Sequence, residues 1–161
     1  MVRTFPRGGF YQQPTWSPDG KALVGVSNGF NTGWSIARLE LATLHANAVS
    51  VADCCTPDWS ANGERVVFSR RRPHAGENSG YGWTELWQAG ADGQGASLVY
   101  AEVGRHLYGG HVSPDGRYVL FTGNLWEDGD PANRGAPMGL ARLTDAPMIA
   151  EHPQLRQVYP Q

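Results

Sequence analysis

Arginine, histidine, acidic and aromatic residues are concentrated in three stretches of the sequence, at 70–82, 105–111 and 124–135. Guanidinium planes and aromatic rings suit carboxylates and sugar rings, so these stretches could bind an acidic or carbohydrate ligand. The alternative for the arginine run at 70–72 is an ordinary solvated loop. The candidate ligand-binding residues are Arg71, Arg72, His74, Arg105, His106, His111, Trp126, Asp128 and Asp130.

Two groups of residues offer possible metal ligands, and neither has a convincing spacing. Glu127, Asp128 and Asp130 supply oxygen ligands of the kind that Ca²⁺ takes, but they depart from the pattern of the twelve-residue calcium loop. His106 and His111 are five residues apart in a strand region, so we expect them to point to opposite faces. His111 could face a central channel and ligate a transition metal, although a packed or hydrogen-bonded histidine is the commoner situation. We therefore predict neither a metal nor a cofactor.

The sequence contains none of the common motifs of nucleophilic or phosphate chemistry. It has no Gly-x-Ser-x-Gly elbow, no glycine-rich phosphate loop ending in Gly-Lys, and no Cys or His cluster at zinc spacing. Cys54 and Cys55 are adjacent, so in a strand they would point to opposite faces, and two reduced thiols are the simplest interpretation. The sequence thus favours a binding function over catalysis.

Charge and hydropathy argue against two classes of partner. The 161 residues contain 13 Lys and Arg against 15 Asp and Glu, which disfavours duplex nucleic acid and anionic membranes. No apolar run approaches the roughly 18 residues needed to cross a bilayer, so we expect no membrane insertion. The first residues carry no hydrophobic signal core. Either the protein stays in the cytoplasm or this is not the natural N-terminus, and we favour the second.

Three segments of the chain repeat one another, at 14–24, 57–68 and 110–121. Each reads as a short strand, a Ser-Pro-Asp-Gly turn (Ser-Ala-Asn-Gly in the second copy) and an apolar strand. Proline presets φ for the first turn position, Asp or Asn tolerates the next, and glycine takes positive φ without steric cost. The turn glycines are 43 and 53 residues apart. This spacing fits a four-stranded propeller blade of about 40–50 residues, with one insertion at 70–82.

Further strands follow the turn segment in each repeat. Third strands are predicted at 34–41, 84–89 and 138–143, and weaker fourth strands at 48–52 and 97–101, with none firm after 143. Helical periodicity is absent over any window long enough to matter. The fold class predicted is therefore all-β.

Three of the six tryptophans are assigned to the repeat, and a fourth stands apart from it. Trp16, Trp59 and Trp87 are interpreted as equivalent repeat positions, so we expect all three to be core residues between blades. Trp126 stands outside the repeat pattern. It is therefore the better candidate for contacting a ligand.

The motif Trp-Ser-Pro-Asp-Gly-Lys at 16–21 and the later Leu-Trp…Ala-Asp-Gly-x-Gly at 86–95 resemble the TolB-like β-propeller repeat. The resemblance covers most of the chain. It implies about three four-stranded antiparallel propeller blades, which together make a partial β-propeller. The blades are expected at about 10–52, 53–103 and 104–161.

Three blades cannot close a ring by themselves, and an open array leaves two unpaired edges that are prone to aggregate. We expect either a fragment of a longer chain that holds the remaining blades or a homodimer that completes a ring. The family resemblance implies proteins that are often secreted or periplasmic. A periplasmic or extracellular location would follow if the full-length chain carries a signal peptide.

In a four-stranded blade the short turns lie on one face of the disc, and the longer loops and connectors lie on the other. The candidate residues fall in the long segments, and long loops on a rigid scaffold often carry binding groups. The sequence thus predicts a binding scaffold with a protein or carbohydrate ligand on its loop-rich face. The resemblance leaves two alternatives open: an oligogalacturonate lyase-like carbohydrate-active enzyme, and the non-catalytic propeller of a peptidase.

Overall fold

The computed structural model describes residues 11–50, 53–71, 84–102, 105–125, 138–143 and 148–149. Every regular element within these ranges is a β-strand, and they contain no helix that could span a membrane. The strands are β1 (Tyr11–Trp16), β2 (Ala22–Ser27), β3 (Ser35–Glu40), β4 (Ala46–Ser50), β5 (Cys54–Trp59), β6 (Arg65–Arg71), β7 (Thr84–Gly90), β8 (Ser97–Ala101), β9 (Arg105–Val112), β10 (Tyr118–Leu125), β11 (Met138–Arg142) and β12 (Met148–Ile149).

The strands form three separate sheets, which we call blades 1 to 3. Blade 1 consists of β1 to β4, blade 2 of β5 to β8 and blade 3 of β9 to β11, and each is antiparallel with neighbouring strands paired in chain order. The short strand β12 lies beyond the outer edge of blade 2, where it pairs in parallel with β8. The all-β, partial-propeller prediction is confirmed, and among the described residues blade 3 has three strands.

The repeated turn has the same hydrogen-bond pattern in all three blades. In blade 1 the backbone N–H of Gly20 donates to the carbonyl of Ser17 (2.9 Å), and the N–H of Ala22 donates to Ser17 Oγ (2.9 Å). The hydroxyl of Ser17 in turn donates to Asp19 Oδ1 at 2.7 Å. Asp19 Oδ1 also accepts from the backbone N–H of Lys21 (3.0 Å). In blade 2, Asn62 takes the place of the aspartate, because its Oδ1 accepts from the hydroxyl of Ser60 and the backbone N–H of Glu64.

The hydrophobic core lies between the blades. Val66 and Phe68 of β6 pack against blade 1, whereas Val67, between them in the sequence, packs against blade 3. All three side chains are buried because blade 2 is covered on both faces. A strand buried on both faces reads as a continuous apolar run, as β6 does here.

Each innermost strand contains a β-bulge at the same repeat position. Gln13, Thr56 and Gly109 all have positive φ, at 51°, 48° and 61°. The strand register shifts at each of them, as expected when one extra residue enters a strand. The bulge resets which side chains face the neighbouring blade.

The structure corrects the prediction for the tryptophans. Trp59 is 6% exposed and packs between blades 1 and 2, as expected, but its counterpart Trp16 is 63% exposed. Trp16 is exposed because it points away from blade 2. Trp87 lies on the third strand of its blade, so it is not equivalent to the other two, and it is only partly buried.

Candidate functional site

The array has two ends with different character. The backbone N–H of Leu41, just after β3, donates to the carbonyl of Lys21, just before β2. The short turns that follow β1 and β3 therefore lie at the same end of the array, which we call the turn end. Cys54, at the start of β5, donates to the carbonyl of Trp34, before β3 (2.9 Å). The connectors and the longer loops therefore share the opposite end, called the loop end below.

The acidic groups of the turn end are engaged within their own turns. Asp115 accepts hydrogen bonds from the hydroxyl of Ser113, the backbone N–H of Arg117 and the guanidinium of Arg117. The Ser113 bond, followed by the two from Arg117, lowers the pKa of Asp115 to about 2. The equivalent bond from Ser17 also lowers the pKa of Asp19. These carboxylates hold the turns in shape and have little capacity left for a ligand.

Some of the predicted site residues can be placed. Arg71 ends β6 and His106 lies near the start of β9, so both are at the loop end; Arg105, the first residue of β9, is there too. His111 lies at the other end of β9, next to the turn, and it is not part of the loop-rich face to which the sequence assigned it. The predicted residues outside the described ranges are Arg72, His74, Trp126, Asp128 and Asp130.

The relation between the two histidines also differs from the prediction. His106 pairs with Asn124 and His111 with Leu120, and these partners lie on the same face of β10. The histidines therefore point to the same side of β9, not to opposite sides, because the bulge at Gly109 adds one residue between them. They are still roughly 13–16 Å apart along the strand, too far for one metal ion. Within the described ranges, no group of three His, Cys, Asp or Glu side chains could hold a metal.

Two aromatic side chains toward the loop end each contact a basic side chain. The guanidinium carbon of Arg70 lies 4.8 Å from the centre of the Trp87 ring, a cation–π distance, and Trp87 Nε1 donates to Glu85 Oε2 at 3.1 Å. The His106 ring stacks on Tyr108 with centroids 5.6 Å apart and planes 10° apart. Sequence reasoning missed Trp87 as part of this surface because it treated that residue as core. It placed Tyr108 in the connector on the loop-rich face but did not select it as a ligand-binding residue.

A row of polar side chains, Thr15, Asp58 and His111, crosses the three innermost strands. Thr15 Oγ1 donates to Asp58 Oδ1 (3.4 Å), while Asp58 Oδ2 accepts from the backbone N–H of Val112 (3.1 Å) and lies 3.5 Å from His111 Nδ1. We call these three residues the axial row. The His111 side chain is 73% exposed, whereas that of Asp58 is mostly covered. Each of the three residues stands two positions before the serine of its turn. An alignment of the repeats could therefore have found the row.

The adjacent cysteines are free thiols in a protected setting. Burial raises the pKa of Cys54 to about 11, and burial also raises the pKa of Cys55. Thiolates are the reactive form, so neither residue is suited to nucleophilic chemistry near neutral pH. This agrees with their interpretation as structural residues.

A groove of about 590 Å³ lies between the turn ends of blades 2 and 3. Ser60, Asn62 and Asp115 contribute to its wall, but these are the residues that close the two turns. Gln88 also lines the groove and is almost fully buried. The groove is a consequence of blade packing at the turn end, and its polar groups are largely committed to structure.

Comparisons with known proteins agree on the fold. No protein-family model matches the chain, and no curated protein matches it by sequence. Among solved structures, a TolB structure from Agrobacterium tumefaciens matches with a TM-score of 0.64 at 18% identity, covering 91% of this chain and 49% of that one. TolB from Acinetobacter baumannii matches with a TM-score of 0.57 at 19% identity, covering 84% and 32%. An oligogalacturonate lyase in complex with manganese matches with a TM-score of 0.56 at 20% identity, covering 88% and 37%.

At these identities the comparisons establish architecture and leave activity open. The chain spans about half the length of the Agrobacterium structure and less of the other two. The structural likeness shows that the chain has a TolB-like β-propeller fold.

Proposed function

We propose that this chain is a binding scaffold of the TolB-like type, which holds a ligand or a protein partner on its loop end. The observation that carries the proposal is the contrast between the two ends. Arg70 over Trp87, the nearby Arg71 and the His106–Tyr108 stack bring cationic and aromatic groups to the loop end. The acids of the turn end are taken up by their own turns.

The ligand class follows from this chemistry. Arginine binds carboxylates through paired, charge-assisted hydrogen bonds, and flat aromatic side chains pack on the apolar faces of sugar rings. An acidic oligosaccharide such as an oligogalacturonide, or an acidic peptide segment on a protein partner, offers both features. Neutral ligands would use only the aromatic part of the surface.

The test uses alanine variants at the loop end and one matched control. Arg70→Ala, Arg71→Ala and His106→Ala are titrated by calorimetry with oligogalacturonides and with acidic peptides. We expect a loss of about tenfold in affinity, or about 1.4 kcal/mol, in at least one loop-end variant. Lys21→Ala removes an exposed cation at the turn end and should bind like the unaltered chain.

Circular dichroism must show that each variant stays folded. If all three loop-end variants bind as tightly as the control, the loop end is not the binding surface. If the unaltered chain binds neither probe, the proposed ligand class is wrong.

A carbohydrate lyase function is a second candidate, supported by the fold likeness to the manganese-bound lyase and by the histidines that share one side of β9. The separation of His106 from His111 weighs against it. Elemental analysis of the purified chain for manganese, iron and zinc, with a search for unsaturated products from pectic oligomers, tests this candidate. If neither a bound metal nor an unsaturated product is found, the lyase candidate is rejected and the binding scaffold stands.

The peptidase alternative and the location depend on sequence beyond this chain. A hydrolase domain in the same gene product would make these blades the propeller of a peptidase. A signal peptide would support the proposed periplasmic or extracellular location, and cell fractionation with an antibody against the chain would test it directly.

A further inference from the structure

The turn of blade 2 has an asparagine where the turns of blades 1 and 3 have an aspartate. Asn62 is exposed, and Gly63 follows it. An asparagine before a glycine is prone to deamidate, because glycine has no Cβ to keep its backbone nitrogen away from the side-chain amide. The sequence contains one more such pair, Asn28 and Gly29. Of the two asparagines, Asn62 is the one that lies in a repeated turn.

The folded turn holds both groups that would react. Asn62 Oδ1 accepts from the hydroxyl of Ser60 at 2.7 Å and from the backbone N–H of Glu64 at 3.1 Å. Asn62 Nδ2 donates to Glu64 Oε2 at 2.7 Å. The backbone nitrogen of Gly63, which would attack the amide, donates its hydrogen to the carbonyl of Ser60 at 2.9 Å. We therefore expect the reaction to require a local opening of the turn.

In each blade, the side chain two positions further along complements the aspartate or asparagine of the turn. In blade 1, Lys21 Nζ lies 3.7 Å from Asp19 Oδ2. In blade 3, Arg117 Nε donates to Asp115 Oδ2 at 2.7 Å. The amide of blade 2 meets the carboxylate of Glu64 instead. An aspartate in this turn would therefore face a second carboxylate where the other two blades supply a cation.

We propose that Asn62 is a modification site, at which deamidation replaces a favourable contact with Glu64 by a repulsive one. The backbone nitrogen of Gly63 loses its proton and bonds to the side-chain carbonyl carbon of Asn62. The bond from that carbon to Nδ2 breaks, and ammonia leaves with the proton. Water then opens the succinimide ring. Attack at one ring carbonyl gives aspartate, and attack at the other gives isoaspartate.

Either product weakens the turn. An aspartate at position 62 keeps the acceptor for Ser60, but it places a carboxylate oxygen where the amide donated to Glu64 Oε2 at 2.7 Å, and like charges this close repel each other. An isoaspartate lengthens the backbone by one methylene group between Ser60 and Gly63, whose hydrogen bond closes the turn. Asn62 also lines the groove between blades 2 and 3, so the modification adds a negative charge to the wall of that groove.

The first experiment measures the rate of the modification. The 161-residue chain is incubated at mildly alkaline pH, both folded and in guanidinium chloride, and is then digested with trypsin, which places Asn28 and Asn62 on different peptides. Mass spectrometry should find product at Asn62 in both samples, and it should form at least about tenfold faster in the denatured one, because there the turn is already open. Equal rates, or no product at Asn62 in the folded chain, would overturn the proposal.

The second experiment tests the contact with Glu64. Asn62→Asp stands in for the modified chain, and adding Glu64→Lys gives blade 2 the Asp-Gly-Lys sequence of blade 1. We expect Asn62→Asp to lower Tm by about 2–4 °C in the unaltered chain, and to leave Tm unchanged or raise it in the Glu64→Lys background. Asn28→Asp at the loop end is the control, and its effect should be the same in both backgrounds.

Three outcomes of this second experiment count against the proposal. One is an equal fall in Tm for Asn62→Asp with and without Glu64→Lys, and another is no fall in either background. The third is an effect of Asn28→Asp that also depends on Glu64, because it would show a general response to net charge and not a contact within the turn.

Discussion

The hydroxyl of Thr84 joins blades 2 and 3, and its removal should destabilise the protein substantially. Thr84 begins β7 and is 1% exposed, and its Oγ1 both donates to the carbonyl of Leu107 and accepts from the N–H of the same residue, each at 2.9 Å. Leu107 on β9 is fully buried. One side chain therefore satisfies both polar groups of a buried backbone unit in the next blade.

Thr84→Val keeps the shape of the side chain and removes only the hydroxyl. It would leave the buried N–H and carbonyl of Leu107 without these two bonds, at about 1–3 kcal/mol for each group that finds no replacement. We expect a loss of about 3 kcal/mol in the free energy of unfolding. For a chain of this size that corresponds to a fall of about 6–12 °C in Tm.

Urea denaturation followed by tryptophan fluorescence provides the measurement, with two matched variants. Thr84→Ser retains the hydroxyl and loses one methyl group, so it should cost only about 1 kcal/mol. Thr122→Val removes a hydroxyl that donates one longer bond, 3.3 Å to the carbonyl of Tyr108, from a partly buried position. If Thr84→Val is no more destabilising than Thr122→Val, the hydroxyl of Thr84 does not connect the blades as described.

Three further predictions concern acid, thiols and packing. The pKa of Asp115 is lowered to about 2 from an ordinary 3.8, so its stabilising effect is complete above pH 4 and disappears as the pH falls through 2. Carboxyl NMR should show the lowered pKa of Asp115, and Ser113→Ala should raise it. Because burial raises the pKa of Cys54 to about 11, a thiol reagent should label it slowly in the folded protein and quickly in urea, and equal rates would contradict its burial. Gly110→Ala would place a Cβ 3.3 Å from Val67 and Val119, so the free energy of unfolding should fall by about 1–3 kcal/mol, and an unchanged urea midpoint would contradict this packing.

The architecture could be predicted because the turn chemistry is local and repeats. A Ser-x-Asp/Asn-Gly turn closes through its own side chains, so its sequence specifies it without help from distant residues. The exposure of Trp16 could not be inferred in the same way. Its sequence context matches that of Trp59, and Trp59 is buried because it packs against blade 1.

The candidate site was harder to predict because it depends on register and on side-chain neighbours. Counting residues from His106 to His111 gives opposite sides of a regular strand, but the bulge at Gly109 reverses that result. A glycine with positive φ inside a strand is a signal for a bulge, and Gly109-Gly110 carries it. In the other two blades the bulge residues are Gln13 and Thr56, which give no such signal from their type alone.

In the axial row, the type of residue at each position fits the number of blades that flank that position. The carboxylate of Asp58, in the middle blade, accepts a hydrogen bond from Thr15 of blade 1 through one oxygen and from the backbone of Val112 in blade 3 through the other. A carboxylate has two acceptor oxygens, so it suits the position that has a blade on each side. Because both oxygens are occupied, Asp58 is better explained as a link between blades than as a free base. Of the three axial side chains, the exposed His111 is the one with the most surface left to meet a ligand or a second chain.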